Sequence, residues 1–296
     1  MILPGFDTFV AIDWSGARNS YKGIAVAKCS RGRSAPKLVP SKVNAHWTRT
    51  EIADWLCDEL NGASRVLVGL DFAFGFPFDE KTGYLHGHMN EQQKTVFDLW
   101  ESIDDNSCGE MDFGCNTFTN DVRFAPLFWK SGRSPAGWSS RKRRTELACT
   151  ETTNTRPETV YKLVGSKQVG RASITGIRVL HYIRRVRRSR VSIWPFERPK
   201  GSTITEIYPT LFRKSATNST AKLRTLEDLN KALATFSSDP LPRSTRSFSD
   251  HETDALVSAA GLRSLAGRQT TWSHPELKSQ RVQREGWIFG VVGPAD

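Results

Sequence analysis

No stretch of this sequence is long and apolar enough to span a membrane. Its most apolar runs, VLVGL at 66–70 and WIFGVVG at 287–293, are strand-sized, well short of the roughly 18 residues a spanning helix needs. Cysteine is scarce and odd in number: Cys29, Cys57, Cys108, Cys115 and Cys149 show no paired spacing. That argues against a disulfide-stapled secreted scaffold and predicts reduced thiols in a cytoplasm. The opening MILPGFDTFV has no basic residues ahead of its apolar ones, so a secretory signal is not expected. His86 and His88 could join Cys108 and Cys115 on a zinc ion. Without a Cys-x-x-Cys pair they read instead as unrelated loop residues. No internal repeat and no low-complexity tail is present.

Positive charge is abundant, with a net charge of +11 over 296 residues, and it is unevenly placed. Residues 78–121 carry ten acids against two lysines, whereas residues 122–190 carry seventeen Lys and Arg against three acids. A basic block of this kind is the electrostatic footprint expected for a polyanion. Its densest clusters are Arg141, Lys142, Arg143 and Arg144, and then Arg184, Arg185, Arg187 and Arg188. With Phe128, Trp129, Trp138 and Tyr161 nearby in sequence, they suit phosphate contacts combined with base stacking. The competing readings are a solvated face, or pairing with the acidic 78–121 segment, for the arginines, and ordinary core packing for the aromatics.

The hydrophobic pattern predicts an α/β protein. FVAIDWSGA (9–17), KGIAVAKCS (22–30) and PKLVPSKVN (36–44) read as three hairpin-linked strands, and TRTEIADWLCDELN (48–61) as an amphipathic helix. SRVLVGLDFAFGFP (64–77) reads as a buried central strand. Residues 78–190 then interrupt the scheme as a large insertion. It holds a helix around EQQKTVFDLWESI (91–103) and ends in a basic amphipathic helix over 173–190, with Ile174, Ile177, Leu180, Ile183 and Val186 in one stripe. The core pattern resumes with SIWPFE, a strand over 202–209, a helix through 221–236 and the helix that begins at Ser249. The expected layout is a core of residues 1–77 and 191–296, with 78–190 inserted after the fourth strand.

Candidate chemistry lies in the acids. In the stretch SDHETDALVSAAG (249–261), Ser249 and Glu252 form a capping box, and acids in a first turn suit the helix dipole. Asp254 lies a full turn further in, among small apolar residues, and shares a helix face with His251 and Ser258. Asp13 and Asp71 each sit near the end of a predicted strand whose Asp-bearing face is small, with Ala11, Gly69 and Ala73 beside them. Close approach would bring Asp13, Asp71 and Asp254 together. Three partly buried acids need a cation, and all-oxygen ligands select Mg²⁺ or Mn²⁺ over zinc. Two such ions suit phosphodiester cleavage. Glu206 is the next candidate acid, and His251 a candidate base or ligand. A turn-capping role for Asp13, a structural acceptor role for Glu206 and a solvated first-turn position for His251 are the simpler readings of each residue taken singly.

Together AIDWSGA, GLDFAFGFP, YKLVGSKQVGRASITGIRVLHYIR, WPFE, EIYP, DHETDALVSAAGLR and EGWIFGV resemble the DUF429 family, a predicted nuclease group with a ribonuclease H-like fold. The resemblance runs from about residue 8 to residue 292. It implies a mixed five-stranded sheet flanked by helices. By similarity to the resolvases of the wider superfamily, Asp13, Asp71, His251 and Asp254 would hold two metal ions. Glu206 belongs to the EIYP motif. His251 stands where many of those relatives have Asp, which leaves Asp250 or Glu252 as substitutes for the second ion.

The expected function is therefore a Mg²⁺- or Mn²⁺-dependent nuclease acting on DNA or RNA. Two other classes compete. One is a nucleic-acid-binding protein of the same fold without turnover. The other is an actin-like phosphotransferase or ATPase, to which DWSGA bears a loose likeness but for which no second Gly-rich phosphate turn follows a later strand. No membrane partner is expected. The sequence leaves the oligomeric state open, a homodimer included.

Overall fold

Strand β1 (Thr8–Asp13) is buried at every residue after its first, and the sheet is ordered around it. In this computed structural model, which describes residues 3–17, 22–89, 95–134, 141–165, 168–187, 190–243 and 246–293, β1 pairs antiparallel with β2 (Ala25–Ser30). Strand β2 pairs antiparallel with β3 (Lys37–Val39). On its other side β1 runs parallel to β4 (Val66–Leu70). A short ribbon, β5 (Phe78–Asp79) and β6 (Gly83–Tyr84), stands apart. Strands β7 (Val191–Ile193) and β8 (Ser202–Glu206) complete a six-stranded mixed sheet of order β3-β2-β1-β4-β8-β7.

Five strands were expected and six are present. The extra edge strand is the SI of SIWPFE with the preceding valine, parallel to β8 with Ile193 opposite Ile204. Three residues are too few to carry a periodic signal, so only pairing reveals it. The run at 64–77 leaves the ladder after Leu70, once Asp71 N–H has bonded Ile12 O at 3.0 Å. EGWIFGVV contributes a single bridge between Ile288 and Glu206.

The helices are α1 (Arg49–Glu59), α2 (Val96–Asp105), α3 (Asn116–Asn120), α4 (Arg144–Thr153), α5 (Val169–Arg187), α6 (Pro209–Thr217), α7 (Leu226–Thr235), α8 (Asp250–Ala266), α9 (Gln269–Trp272) and α10 (Gln280–Glu285). Strand alternation divides the core into two layers. Val10 and Ile12 of β1, and Val66, Val68 and Leu70 of β4, pack with α1, α2 and α5. Phe9 and Ala11, with Leu67, face the opposite layer built on α6, α7 and α8.

Helix α5 is the basic amphipathic helix of the sequence. Ile174, Ile177, Leu180 and Ile183 are buried as the stripe requires, while Val186 is exposed. The residues buried on α5 belong to the same hydrophobic cluster as β1 and β4. The tail of the 78–190 segment is thus a layer of the core. Helix α8 is apolar and small nearly all round, which is the pattern of a helix enclosed by protein. Gly261 is where α6 comes closest, since a Cβ there would meet the Phe212 ring at 2.2 Å.

Candidate active site

Asp13 is the last residue of β1, and Asp71 follows the last residue of β4. Because Ile12 lies opposite Leu70 in parallel register, the next residue of each strand is brought side by side. Ligands of open α/β sheets gather at this carboxyl edge, where strand ends and helix starts leave a crevice. Here it is a cavity of about 650 Å³ whose lining includes Asp13, Asp71, His251 and Asp254. The sequence placed these four together, and the fold does so.

Helix α8 begins above this edge. Ser249 caps it, and Glu252 returns the bond to the Ser249 N–H at 2.9 Å. The cap fixes the first turn so that His251 Nδ1 lies 2.6 Å from Asp13 Oδ2. Asp13 is buried while the His251 side chain is 44% exposed. Desolvation raises the Asp13 carboxyl above its ordinary range, and the His251 hydrogen bond opposes that rise. Asp71 is raised further, by burial first and then by the Asp13 charge, and it shares a hydrogen bond with Asp13. Two carboxyls in contact cannot both ionise freely, which is why the Asp13 charge raises Asp71. The same contact raises His251 above an ordinary imidazole, the hydrogen bond to Asp13 being the main cause.

Asp254 is buried at the same cavity, but cations hold it. Arg213 of α6 donates to one carboxylate oxygen, and Lys222 Nζ lies 2.5 Å from the other. Arg213 is itself buried and also donates to Thr210 Oγ1 at 3.0 Å. Lys222 is 35% exposed. Neither cation was singled out from the sequence. The one available signal was indirect: an aspartate inside an apolar helix demands a counter-charge, but nothing says which of the many Lys and Arg supplies it.

Glu206 stands apart from the acid pair for a reason of pleat. It lies opposite Leu70 in the parallel ladder, so it shares Leu70's face while Asp71, one residue on, takes the other. There Arg143 meets it through two bonds, Nη1–Oε2 at 2.9 Å and Nη2–Oε1 at 2.6 Å. The Phe74 N–H adds a third at 3.1 Å. Arg143 also bonds Glu146 Oε1 at 2.7 Å and Glu285 O at 2.9 Å. Burial lifts Glu146 to about 7 against the pull of Arg143. Glu206 borders the cavity as part of this buried network.

Much of the expected basic footprint is engaged by other groups of the protein. Arg143 is buried, Arg144 pairs with Glu276 and Glu151, and Arg184 pairs with Glu197 and lies over the Phe97 ring. Arg141 lies over Tyr161, and Arg187 donates to Cys57 O at 3.0 Å. Lys142 and Arg185 have no hydrogen-bond or ion-pair partner among the described residues, and Arg185 is exposed. Arg188 and Trp138 lie outside the described residues. Phe128 and Tyr161 are core residues packed edge-to-face against Phe76. These side chains could not be separated from a nucleic-acid surface by composition, because a buried cation and a free one look alike in sequence.

No family model, curated protein or solved structure matches this chain. Among the described residues no helix is long and apolar enough to cross a membrane, and no group of three or more His, Cys, Asp or Glu side chains converges as a ready metal cage.

Proposed function

We propose that this protein is a Mg²⁺- or Mn²⁺-dependent nuclease that hydrolyses phosphodiester bonds at the Asp13–Asp71 pair. The observation that carries the reading is the contact of two raised-pKa carboxyls at the ends of adjacent parallel strands, with His251 on one of them. The sheet order supports the ribonuclease H-like reading: an antiparallel β1–β2–β3 hairpin series, with β4 and β8 following in parallel on the other side of β1.

The donor chemistry fits a hard divalent ion. The cavity lining carries six acidic side chains (Asp13, Asp71, Glu146, Glu158, Glu206 and Asp254) together with Arg143, Arg213, Lys222 and His251. An added cation beside Asp13 and Asp71 would relieve the repulsion between them and offer a phosphodiester a positive partner. Asp13 and Asp71 would hold the ion with oxygen ligands, as Mg²⁺ and Mn²⁺ prefer. When bound, it supplies Lewis-acid stabilisation of charge on the phosphoryl oxygens and activates water.

The chain's own groups do the rest. Asp13 orients the His251 ring through Nδ1, leaving its other nitrogen to take a proton from an attacking water. Arg213 and Lys222 keep Asp254 neutralised and place positive charge beside the reacting phosphate. The non-catalytic binding reading draws less support, since Arg143, Arg144 and Arg184, on which it relies, pair with acids of the protein.

The test is titration calorimetry with Mg²⁺ and Mn²⁺ on wild type and Asp71→Asn, followed by a nuclease panel on both preparations. Metal uptake and cleavage that both vanish in the variant are expected. Nucleic-acid binding without metal uptake or cleavage would replace the nuclease by a binding protein.

A further inference from the structure

The cavity at the acid pair is flanked by two walls among the described residues, and its size limits what can reach Asp13 and Asp71. Its volume of about 650 Å³ is that of a pocket for a small molecule rather than a groove for a double helix. One wall is the segment after β1, residues 14–17, and another combines Pro157 and Gln168, ahead of α5, with Ala172 in its first turn. Both walls are anchored. A Cβ on Gly16 would come within 2.3 Å of Ala172 N and 2.4 Å of Arg171 C, so the loop after β1 lies in backbone contact with the first turn of α5. Gly170 N–H bonds Lys162 O at 2.9 Å, and Leu163 N–H bonds Trp129 O at 2.9 Å. These bonds tie the second wall to α5 and to the core. Between the walls the cavity is bordered by apolar groups, notably Trp14, Pro157, Tyr208 and Ile288. The Tyr208 hydroxyl is pushed up to about 12 by burial, so the ring presents a neutral face.

From this geometry we infer that the site takes one unpaired nucleotide unit at a time, from a single strand or a frayed or flapped end, and does not act on an unbroken duplex. The inference rests on the nuclease reading and adds its substrate class. In a closed duplex each phosphodiester lies on the ridge of a cylinder too wide for the cavity. Reaching the buried Asp13 would require the nucleotide to leave the stack, at a cost that a single strand avoids. An apolar wall beside the acids suits a sugar and base that have already lost their stacking partners.

The experiment compares four probes with Mn²⁺ at equal phosphodiester concentration: a linear single strand, a duplex of the same sequence closed by hairpins at both ends, that duplex bearing an unpaired flap, and bis(4-nitrophenyl) phosphate. Cleavage of the single strand, the flap and the small ester is expected, with the closed duplex slower by roughly tenfold to a hundredfold. A closed duplex cut as fast as the single strand overturns the inference and leaves metal-dependent hydrolysis standing. Failure to cut any probe, the small ester included, overturns the nuclease reading and the inference with it. Cleavage that persists unchanged in Asp71→Asn does the same, because the activity would then lie elsewhere.

Discussion

Arg143 grips Glu206 with both ends of its guanidinium, and neither side chain is more than 4% exposed. The pair joins the N-terminus of α4 to the end of β8 and, through Glu285 O, to the end of α10. It closes the sheet edge next to the acid pair, on the opposite face. Such a pair adds little compared with an apolar replacement of both partners, but losing one partner strands a buried charge.

Arg143→Met is therefore expected to lower unfolding stability by about 3–5 kcal/mol, read from urea denaturation. Glu206→Gln should also lower the unfolding midpoint while the metal titration keeps its wild-type form. The opposite outcome, unchanged stability with metal uptake lost, would return Glu206 to the acid cluster.

Lys222 and any added metal ion compete for the charge of Asp254. Its ammonium is 35% exposed, which limits the ion pair to about 1 kcal/mol or less. Lys222→Met should accordingly tighten Mn²⁺ binding by up to about fivefold, the factor matching that energy. Calorimetry reads the change directly. Weaker binding in the variant would instead mean that Lys222 holds Asp254 in the geometry the metal needs.

The acid pair was legible because it depends on two short rules. A strand reverses its side chains at each residue, so Asp13 falls with Phe9 and Ala11, and Asp71 with Leu67. The capping box at Ser249 then fixes where His251 lies. The face that Glu206 takes could not be read, because the register of β8 against β4 sets it, and register is a long-range quantity that no local pattern contains. The same limit hid β7, three residues long, and the Arg213 and Lys222 contacts to Asp254, which link residues 41 and 32 positions apart. The pairing of Arg144 could not be read because Glu276 lies 132 positions away, and Glu197, the partner of Arg184, lies outside the acidic 78–121 segment.

The His251–Asp13 contact makes stability depend on pH in a definite direction. The imidazole is raised above its usual value by Asp13, so the folded state favours the protonated ring. Its contribution is present below the ordinary value of 6.5 and is lost as pH rises through the higher folded value. On the acid side it lasts until Asp13 itself takes up a proton. Wild type minus His251→Gln should thus show a stability difference of about 1 kcal/mol or less that shrinks above neutrality and weakens with salt. Urea unfolding at a series of pH values measures it. A difference that grows with pH would contradict the pairing.

Asp71 carries the largest consequence of the acid pair. Burial and the Asp13 charge raise its carboxyl well above 3.8, so the folded chain favours the protonated form. The sign follows from linkage: the stability associated with this group is fully present below 3.8 and is lost as pH rises through the folded value. At pH 7 in chelator the wild type retains that penalty, while Asp71→Asn, a neutral isostere, does not. The variant should melt higher, by about 2–4 °C for each kcal/mol relieved, and the advantage should disappear in acid. Adding Mn²⁺ should reverse the ranking, because only the wild type gains stability from an ion bound to its folded state. Scanning calorimetry of both proteins, with chelator and with Mn²⁺, reads all of these shifts. A variant that melts below wild type in chelator at pH 7 would show that the Asp13–Asp71 contact is not repulsive in the folded protein, and with that the electrostatic case for a cation at this edge would fall.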